Sequence, residues 1–394
     1  MTNERPTPDA ADPAASFVIT HASETSRPRV GRLTTGHGRA DTPCFLPIAT
    51  HGSLRAMTFD EAAACGTTIV MANAWHVYRE ATPESLRAAG GAHGMIGWPG
   101  ILCTDSGGYQ VFSLRDETEV ELADEGVTFG SDEGALTPEH VVRMQKHLGS
   151  DIMMVLDDCA PFPCAKQRAA DAVRRTSIWA ERSIRAHAEI PPVYGHPQQL
   201  WGIVQGGAHE DLRRQSIEEV ARFPFDGYGI GGLSIGIPRP RIRELTALSS
   251  DLLPADKPRH LLGVGLPPQV LEGIEDGADT FDCVLPIRRG QRGFAYTSVG
   301  EIAYKRPQPG ALADAPLDPA CACEACRTWS RERLRQLYRT DKPAAGRLAA
   351  IHNITFYHRL LADARAAIRE DRFAEFKRAF LATYAAAAAA SADE

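Results

Sequence analysis

Carboxylate and amide side chains follow several short apolar runs in this chain of 394 residues. The carboxylates are Asp105, the adjacent pair Asp157 and Asp158, and Asp282, and the amide is Gln205. Two carboxylates that face a sugar can perform a retaining displacement, in which one attacks the anomeric carbon and the other transfers protons. A further carboxylate and an amide can bind the edge of a flat polar ligand such as a purine. These residues predict retaining glycoside chemistry, with a helix N-cap as the alternative role for Asp157.

A second group of residues has the spacing of metal ligands. Cys321, Cys323 and Cys326 lie within the six residues CACEAC, whereas the other six cysteines are scattered along the chain. Scattered cysteines in apolar runs are typical of reduced thiols in a cytosolic protein. Three thiolates this close together converge on one zinc ion. By spacing alone, His352 and His358 are equal candidates for the fourth ligand.

Eight apolar runs must position the carboxylates. They are too uniformly apolar for half-exposed strands, so we expect each to form a fully buried strand. The runs are Cys44–Ile48, Thr68–Ala72, Ile101–Thr104, Ile152–Leu156, Trp201–Val204, Tyr228–Gly231, His260–Val264 and Thr280–Leu285.

Segments of helical period separate several of these runs. Thr137 and Pro138 resemble an N-cap followed by a first-turn proline, and Gly149 ends that predicted helix. Further helices are predicted over Lys166–Ala188, Glu210–Arg222, Arg239–Leu252 and Pro268–Asp276. Strand–helix alternation repeated eight times predicts an α/β fold, a (β/α)₈ barrel, whose strand ends converge at one mouth. A doubly wound open sheet is the alternative, although the glycine-rich phosphate turn expected after its first strand does not occur.

Composition limits the class of protein. The chain is 43% hydrophobic and 24% charged, as in ordinary globular proteins, and no apolar run approaches the roughly 20 residues of a membrane helix. The polar start contains no signal peptide, so we expect a cytoplasmic location. We expect a disordered tail over residues 1–15, a barrel over 16–303, a zinc subdomain over 304–360, a C-terminal helix over 361–384 and an Ala-rich tail over 385–394.

Charge is distributed unevenly along the chain. Residues 287–347 contain twelve Lys or Arg and six acids, a net charge of +6 in a chain whose total is −7. This asymmetry indicates one docking place for a polyanion. Four arginines recur every fourth residue and predict one stripe on a helix beside the cysteines; they are Arg327, Arg331, Arg335 and Arg339. A solvated surface is the alternative interpretation.

Six ordered motifs resemble those of the tRNA-guanine transglycosylase family. They are TDSGGYQVFSL (104–114), DDCAPFP (157–163), GIVQGG (202–207), GGLSIG (231–236), FDCVLPIR (281–288), and CACEAC followed by His352 in IHN. The resemblance extends from about Phe45 to Leu361 and implies an irregular (β/α)₈ barrel with a zinc subdomain. It also implies an enzyme of queuosine biosynthesis that exchanges the wobble guanine of tRNAs with GUN anticodons for a 7-deazaguanine base. In the usual bacterial pattern, this base is 7-aminomethyl-7-deazaguanine.

The resemblance implies a role for each matched residue. Asp282 falls on the nucleophile that forms a covalent intermediate with the ribose, and Asp105 on the proton acceptor. The base-binding positions are Asp105, Ser106, Gly107, Gly108, Tyr109, Asp157, Gln205 and Gly232, with Tyr109 expected to stack on the base.

The resemblance also implies partners and a metal. Cys321, Cys323, Cys326 and His352 fall on the ligands of one Zn²⁺ per subunit, and this closed ligand set indicates a structural role. The tRNA-binding positions, which serve the anticodon loop, are Gly263, Val264, Gly265, Leu266, Pro267, Pro268, Gln269, Ile287, Arg288, Arg289, Gly290 and Gln291. Arg292 could contact phosphates beside Arg288 and Arg289. A homodimer is also implied.

Three positions depart from the usual bacterial pattern. Ile237 replaces an acidic residue, Leu266 a lysine and Gln291 an arginine. The missing acid supports recognition of an exocyclic amine in the family, so we expect weak preference for an aminomethyl base over its neutral nitrile analogue. The alternatives are a relative that uses another base or polynucleotide, a non-catalytic tRNA-binding subunit, and a carbohydrate glycosidase. The nucleophile and the zinc–arginine segment disfavour the last two.

Overall fold

Eight parallel strands close into a barrel at the centre of the computed structural model, which describes residues 16–108, 120–129 and 133–390. The strands of the described residues are β1 (Ser16–Ala22), β2 (Arg29–Thr35), β3 (Gly38–Thr42), β4 (Cys44–Ala49), β5 (Ile69–Asn73), β6 (Ile101–Asp105), β7 (Val120–Leu122), β8 (Val127–Phe129), β9 (Glu133–Leu136), β10 (Ile152–Met154), β11 (Gln199–Val204), β12 (Gly227–Ile230), β13 (Arg259–Leu261), β14 (Thr280–Cys283), β15 (Ala295–Thr297) and β16 (Gly300–Ile302).

The barrel strands follow chain order around the circle: β4, β5, β6 and then β10 to β14. Pairing of β14 with β4, with Asp282 opposite Leu46, closes the barrel. Each of the eight predicted runs coincides with one barrel strand, and β5 and β11 are buried along their whole length. The predicted (β/α)₈ barrel is confirmed, and the open-sheet alternative is wrong because β14 leaves no free edge next to β4.

Helices surround the barrel. Those of the described residues are α1 (Phe59–Ala64), α2 (Ala74–Arg79), α3 (Pro83–Ala89), α4 (Ala92–Ile96), α5 (Pro138–Leu148), α6 (Lys166–Glu189), α7 (Glu210–Ala221), α8 (Arg239–Leu252), α9 (Pro267–Glu275), α10 (Leu285–Gln291), α11 (Glu324–Thr328), α12 (Arg331–Thr340), α13 (Lys342–Arg369) and α14 (Phe373–Ala390), with a 3₁₀ turn at Gly310–Leu312. None of the described helices is long and apolar enough to cross a membrane.

The predicted boundaries of α5 are confirmed in atomic detail. The Thr137 hydroxyl accepts from the His140 N–H at 3.2 Å, which caps the helix, and Pro138 occupies its first turn. Gly149 ends α5 with a φ of 71°, a left-handed conformation that glycine adopts without steric cost.

Three small antiparallel sheets were not anticipated from the sequence. Strands β1 to β3 form one, β7 to β9 a second, and β15 with β16 a hairpin that follows the barrel. The turn between β2 and β3 carries His37 to Asp151, the residue just before β10. The N-terminal sheet therefore lies at the amino ends of the barrel strands.

The zinc subdomain and the C-terminal helices continue directly from the barrel. Helix α13 packs along α10, α11 and α12, and it extends from Lys342 to Arg369. The predicted domain boundary between residues 360 and 361 therefore falls inside one helix. Helix α14 continues to Ala390, inside the predicted Ala-rich tail; residues 1–15 and 391–394 lie outside the described residues.

Candidate active site and metal site

A cavity of about 600 Å³ opens at the carboxyl ends of the barrel strands. Its floor is apolar, with Met71, Met154 and Ile203. Its polar lining comes from the ends of six different strands: Asn73, Asp105, Asp157, Gln205, Gly232 and Asp282. The parallel barrel brings these residues together because all of its strands end at the same face.

Asp282 is held in the cavity through one of its two carboxylate oxygens. Its Oδ1 accepts hydrogen bonds from the His260 Nε2–H at 2.9 Å and from the Gly263 N–H at 2.8 Å. No hydrogen bond within the described residues reaches Oδ2. The two donors thus fix the orientation of the carboxylate and leave its second oxygen for attack on an electrophile.

His260, which holds Asp282, was not among the site residues predicted from the sequence. It is fully buried on β13, and parallel register places it opposite Thr280 of β14. The Thr280 hydroxyl lies 2.8 Å from His260 Nδ1 and can donate to it, which sets the tautomer with its proton on Nε2, facing Asp282. The available signal was a histidine inside a buried strand beside the Asp282 strand.

Asp105 lies at the end of β6, directly opposite Asn73 of β5. Its Oδ2 accepts from the Asn73 side-chain amide at 3.0 Å, and its Oδ1 from the Gly107 N–H at 3.2 Å. Burial, reinforced by the charge of Asp282, outweighs these hydrogen bonds and raises the pKa of Asp105 to about 7. A carboxyl group with this pKa can both take and return a proton near neutral pH.

Asp157 and Asp158 point to different surroundings. The Asp157 Oδ2 accepts from the Gln205 amide Nε2 at 2.6 Å, and both residues line the cavity. Asp158 is turned toward α6. Its carboxylate accepts hydrogen bonds from Arg168 at 2.9 Å and from Arg175 at 2.8 Å, and these two arginines neutralise its charge. Only Asp157 is therefore placed to meet a ligand, and the N-cap alternative for it is wrong because Ala165 caps α6.

The ionisation of Asp157 also reflects its surroundings. Burial, reinforced by the charge of the neighbouring Asp158, outweighs the hydrogen bond from Gln205 and raises the pKa of Asp157 to about 7. A ligand that donates hydrogen bonds to this carboxylate would favour its ionised form.

Glycines bring the main chain close to these side chains. A Cβ atom on Gly108 would lie 2.5 Å from Asp157 Oδ1, and one on Gly232 would lie 2.3 Å from Gln205 Oε1. Ser106 is buried and accepts from the Gly108 N–H at 3.2 Å, which fixes this turn. Tyr109, the predicted stacking residue, lies outside the described residues.

The residues predicted to bind tRNA divide into exposed and buried groups. Arg288 is exposed and borders the cavity, and Leu266 is exposed at the start of α9. Arg289 is half-buried, paired with Glu301 and stacked on Phe294. The others range from the exposed Gly263 through the half-buried Pro268, Gln269 and Gln291 to the buried Val264, Gly265, Pro267, Ile287 and Gly290.

The prediction that the four arginines form one stripe on a single helix is wrong. Helix α11 ends at Thr328, and Ser330 caps a separate helix, α12, so Arg327 lies on a different helix from the other three. Arg331 is buried and donates to the carbonyl oxygens of Pro316 and Leu317. The four-residue spacing does not reveal the break at Trp329 or the burial of Arg331, because both depend on packing with distant segments.

Cys321, Cys323, Cys326 and His352 come together beside α13, and their ligand atoms all lie within 4.8 Å of one another. His352 Nε2 lies 2.7 Å from the Tyr296 carbonyl oxygen, to which it can only donate, so Nδ1 is the ligating nitrogen. That nitrogen is 3.2 Å from the Cys326 Sγ and 3.6 Å from the Cys323 Sγ. The four residues fit a metal ion and are compatible with zinc.

The structure distinguishes the two candidates for the fourth ligand. His358, one and a half turns further along α13, hydrogen bonds with the Thr67 hydroxyl at 2.8 Å and lies outside the cysteine cluster. His352 is thus the fourth member of the cluster.

Ile237 does not line the cavity. Its side chain is buried in the apolar core, whereas Ile235, two residues earlier, borders the cavity. The expectation that an acid at position 237 would face the amine of a bound base directly is therefore not supported, since the turn through Gly236 separates these two positions.

The barrel and its cavity define a (β/α)₈-barrel enzyme with several carboxylates at the catalytic face of the fold. A family model described as queuine tRNA-ribosyltransferase matches residues 24–386. The queuine tRNA-ribosyltransferase of Nitratidesulfovibrio vulgaris (strain DP4) is 44% identical over 360 residues, covering 90% of this chain and 94% of the relative. The protein of the same name from Thiobacillus denitrificans (strain ATCC 25259 / T1) is 42% identical over 361 residues, covering 91% and 96%. The chain belongs to the queuine tRNA-ribosyltransferase family, so its assignment to this class of transferases is confirmed.

Proposed function

We propose that the chain is a tRNA-guanine transglycosylase that exchanges the wobble guanine of tRNAs with GUN anticodons for a 7-deazaguanine base in queuosine biosynthesis. One observation carries the proposal: a single cavity holds the oriented carboxylate Asp282, the proton-exchanging carboxyl Asp105 and the Asp157–Gln205 pair. Membership of the queuine tRNA-ribosyltransferase family supports the same assignment.

In the first displacement, Asp282 Oδ2 attacks C1′ of the ribose. An ester bond forms, the C1′–N9 bond breaks, and its electron pair remains on guanine. Asp105, with a pKa of about 7, can donate a proton to the leaving base. The hydrogen bonds from His260 and Gly263 hold Asp282 Oδ1, which becomes the ester carbonyl oxygen.

In the second displacement, Asp105 removes the N9 proton of the incoming 7-deazaguanine. The base then attacks C1′, and the electron pair of the ester bond returns to Asp282. Because both displacements invert C1′, the ribose keeps its original configuration. The departing carboxylate regains the negative charge that the His260 and Gly263 donors stabilise.

The base is proposed to lie with its polar edge against Asp157 and Gln205. The Asp157 carboxylate accepts from the ring and exocyclic N–H groups of the purine, and Gln205 and the Gly232 N–H donate to its carbonyl oxygen. At Ser106, Gly107 and Gly108 the main chain, rather than large side chains, borders the proposed base position, which leaves room for a flat ring. The incoming base is proposed to be 7-aminomethyl-7-deazaguanine, with another 7-deazaguanine as the alternative.

The anticodon loop is proposed to lie across the rim of the cavity, where Arg288 is exposed. Cys321, Cys323, Cys326 and His352 would hold one Zn²⁺, which would tie α11 to α13 and to the hairpin of Tyr296. Four protein ligands leave no open coordination position, so the ion would be structural. The protein is proposed to be a homodimer. Light scattering of the full chain, which measures the mass of the particle in solution, tests this.

Exchange of labelled guanine into a GUN-anticodon tRNA tests the function. We expect incorporation that depends on Asp282, and release of the label when 7-aminomethyl-7-deazaguanine or its nitrile analogue is supplied. The same tRNA with adenine at the wobble position is the control. Binding of tRNA without exchange of any base would favour the non-catalytic subunit, against which the intact Asp282 geometry argues.

A further inference from the structure

Two histidines hydrogen bond to a buried carboxylate, and a third packs against them, at the end of the barrel opposite to the catalytic cavity. Asp151, fully buried just before β10, accepts from His37 Nδ1 at 2.9 Å through Oδ1 and from His93 Nε2 at 3.0 Å through Oδ2. The Leu102 N–H donates a third hydrogen bond, at 2.9 Å, to Oδ2. The His196 ring meets the His37 ring edge-on, with centroids 4.7 Å apart.

The cluster joins segments that are distant in sequence. His37 lies in the turn between β2 and β3, His93 in α4, Asp151 immediately before β10 and His196 in the loop before β11. Neither glycosyl transfer nor the Cys₃His cluster uses any of these residues. An exposed turn would not need to bring an imidazole to a buried carboxylate for packing alone.

The charges in the cluster favour a cation. Within the described residues, this carboxylate accepts hydrogen bonds from two imidazoles and one peptide N–H, and from no lysine or arginine. A buried carboxylate without a lysine or arginine partner is a group whose negative charge a bound cation can balance.

We propose that His37, His93 and Asp151 form a second metal site, for a divalent ion of the zinc type. Two imidazoles and a carboxylate are ligands that Zn²⁺ binds at about 2.0–2.2 Å, and ligand atoms of one such ion lie about 3 Å apart. His37 Nδ1 lies 2.9 Å from Asp151 Oδ1 and His93 Nε2 lies 3.0 Å from Asp151 Oδ2, and the ligand atoms of the three residues all lie within 4.8 Å of one another. His196 donates from Nε2 to the Gly149 carbonyl oxygen at 3.1 Å and packs edge-on against His37, outside this group of three ligands.

Binding requires one change in the site. The His37 and His93 rings are stacked with centroids 3.6 Å apart and planes only 16° apart, so their lone pairs do not meet at one point. His37 lies on a turn with 29% of its side chain exposed, and it can rotate toward the ion in exchange for its hydrogen bond to Asp151. The ion would then join the N-terminal sheet to the barrel without touching the catalytic cavity.

Zinc content of the full chain, measured after equilibration with buffered Zn²⁺, tests the proposal. We expect two ions per chain for the wild type, one for His37→Gln and one for Cys323→Ser, because each variant removes a different site. His21→Gln is the matched control, since His21 has the same 29% exposure and contacts one carboxylate, Asp371, at 3.4 Å. This control should keep two ions. One ion in the wild type, or two in His37→Gln, would overturn the proposal.

A spectroscopic titration of the wild type keeps the test independent of variant folding. Co²⁺ at the cysteine cluster should produce the intense near-ultraviolet absorption of thiolate ligands, and a second equivalent should add visible absorption without further thiolate absorption. Once the cysteine cluster is occupied, a second equivalent of Zn²⁺ should also raise the melting temperature of His21→Gln but not that of His37→Gln. Saturation of the cobalt spectrum at one equivalent would show that His37, His93 and Asp151 do not bind a metal ion, which would overturn the proposal.

Discussion

The Nε2–H of His260 donates to Asp282 Oδ1 at 2.9 Å, inside a barrel interior where His260 itself has no exposed surface. This contact joins two neighbouring strands, β13 and β14, and makes the orientation of the proposed nucleophile a property of the barrel core. Together with the Gly263 N–H, it distinguishes the two oxygens of one carboxylate before substrate binds.

Asp282→Asn should abolish the protein–tRNA adduct that survives denaturation, while tRNA affinity changes little, because only a carboxylate can attack C1′. Denaturing gel electrophoresis and filter binding measure the two properties. Asp251→Asn, which removes an exposed carboxylate paired with Arg27, is the control and should form the adduct normally. An adduct in the Asp282 variant would show that another residue is the nucleophile.

His260→Phe should slow base exchange by about tenfold or more while leaving tRNA affinity intact. The variant loses a hydrogen bond to a charged group, worth about 1.5–3 kcal/mol, that stabilises the departing carboxylate. Single-turnover kinetics should show slower breakdown of the adduct. His260→Gln, which keeps an amide donor, should recover part of the rate, whereas equal losses in both variants would indicate a packing role only.

Asp105→Asn should reduce guanine exchange by about 100-fold or more, with little loss of tRNA binding, because the variant cannot transfer a proton. With the pKa of Asp105 near 7, wild-type exchange should be fastest near pH 7, because the first displacement needs the protonated carboxyl and the second needs the carboxylate. Initial rates from pH 5.5 to 8.5 measure this. Unchanged exchange kinetics in the variant would remove Asp105 from the mechanism.

The stability of the fold should also depend on pH. Burial raises the pKa values of Asp105 and Asp157 from 3.8 to about 7, so between these values the folded state binds more protons than the unfolded state. Their contribution to the free energy of unfolding is therefore largest at low pH and decreases as the pH rises from about 4 to 7. Urea unfolding across this range should show a smaller decrease for Asp105→Asn than for the wild type.

Cys323→Ser should reduce the zinc bound by the cysteine cluster and loosen the region from about residue 304 onward, because metal-binding energy at such a site is folding energy. Metal analysis and limited proteolysis measure both effects. Cys164→Ser, at a cysteine outside the cluster, is the control. Full occupancy of the cluster in Cys323→Ser would defeat the ligand assignment.

Ile237→Glu should destabilise the protein by about 3 kcal/mol or more rather than improve base recognition. The new carboxylate would be buried among apolar side chains, which cannot neutralise its charge. Thermal unfolding and kcat/KM for the aminomethyl and nitrile bases distinguish these outcomes. A selective gain for the aminomethyl base with unchanged stability would instead restore the role that the sequence comparison assigned to this position.

Local patterns in the sequence determined the eight barrel strands, the caps of α5 and the cysteine cluster. Buried strands need continuous apolar runs, caps need particular residue types, and three cysteines within six residues are close together in any fold. The identity of the carboxylates at the cavity also followed from their positions at strand ends, because parallel strands present these ends at one face.

Only the tertiary structure decided how neighbouring residues of the same type divide their roles. Asp157 faces the cavity and Asp158 faces two arginines, His352 joins the cysteines and His358 joins Thr67, and Arg331 is buried while Arg327 is exposed. The contacts of His260 with Asp282 and of His37 with Asp151 likewise depend on strands and turns that are far apart in the chain. Side-chain partners and burial are set by packing between distant segments, which one-dimensional spacing does not encode.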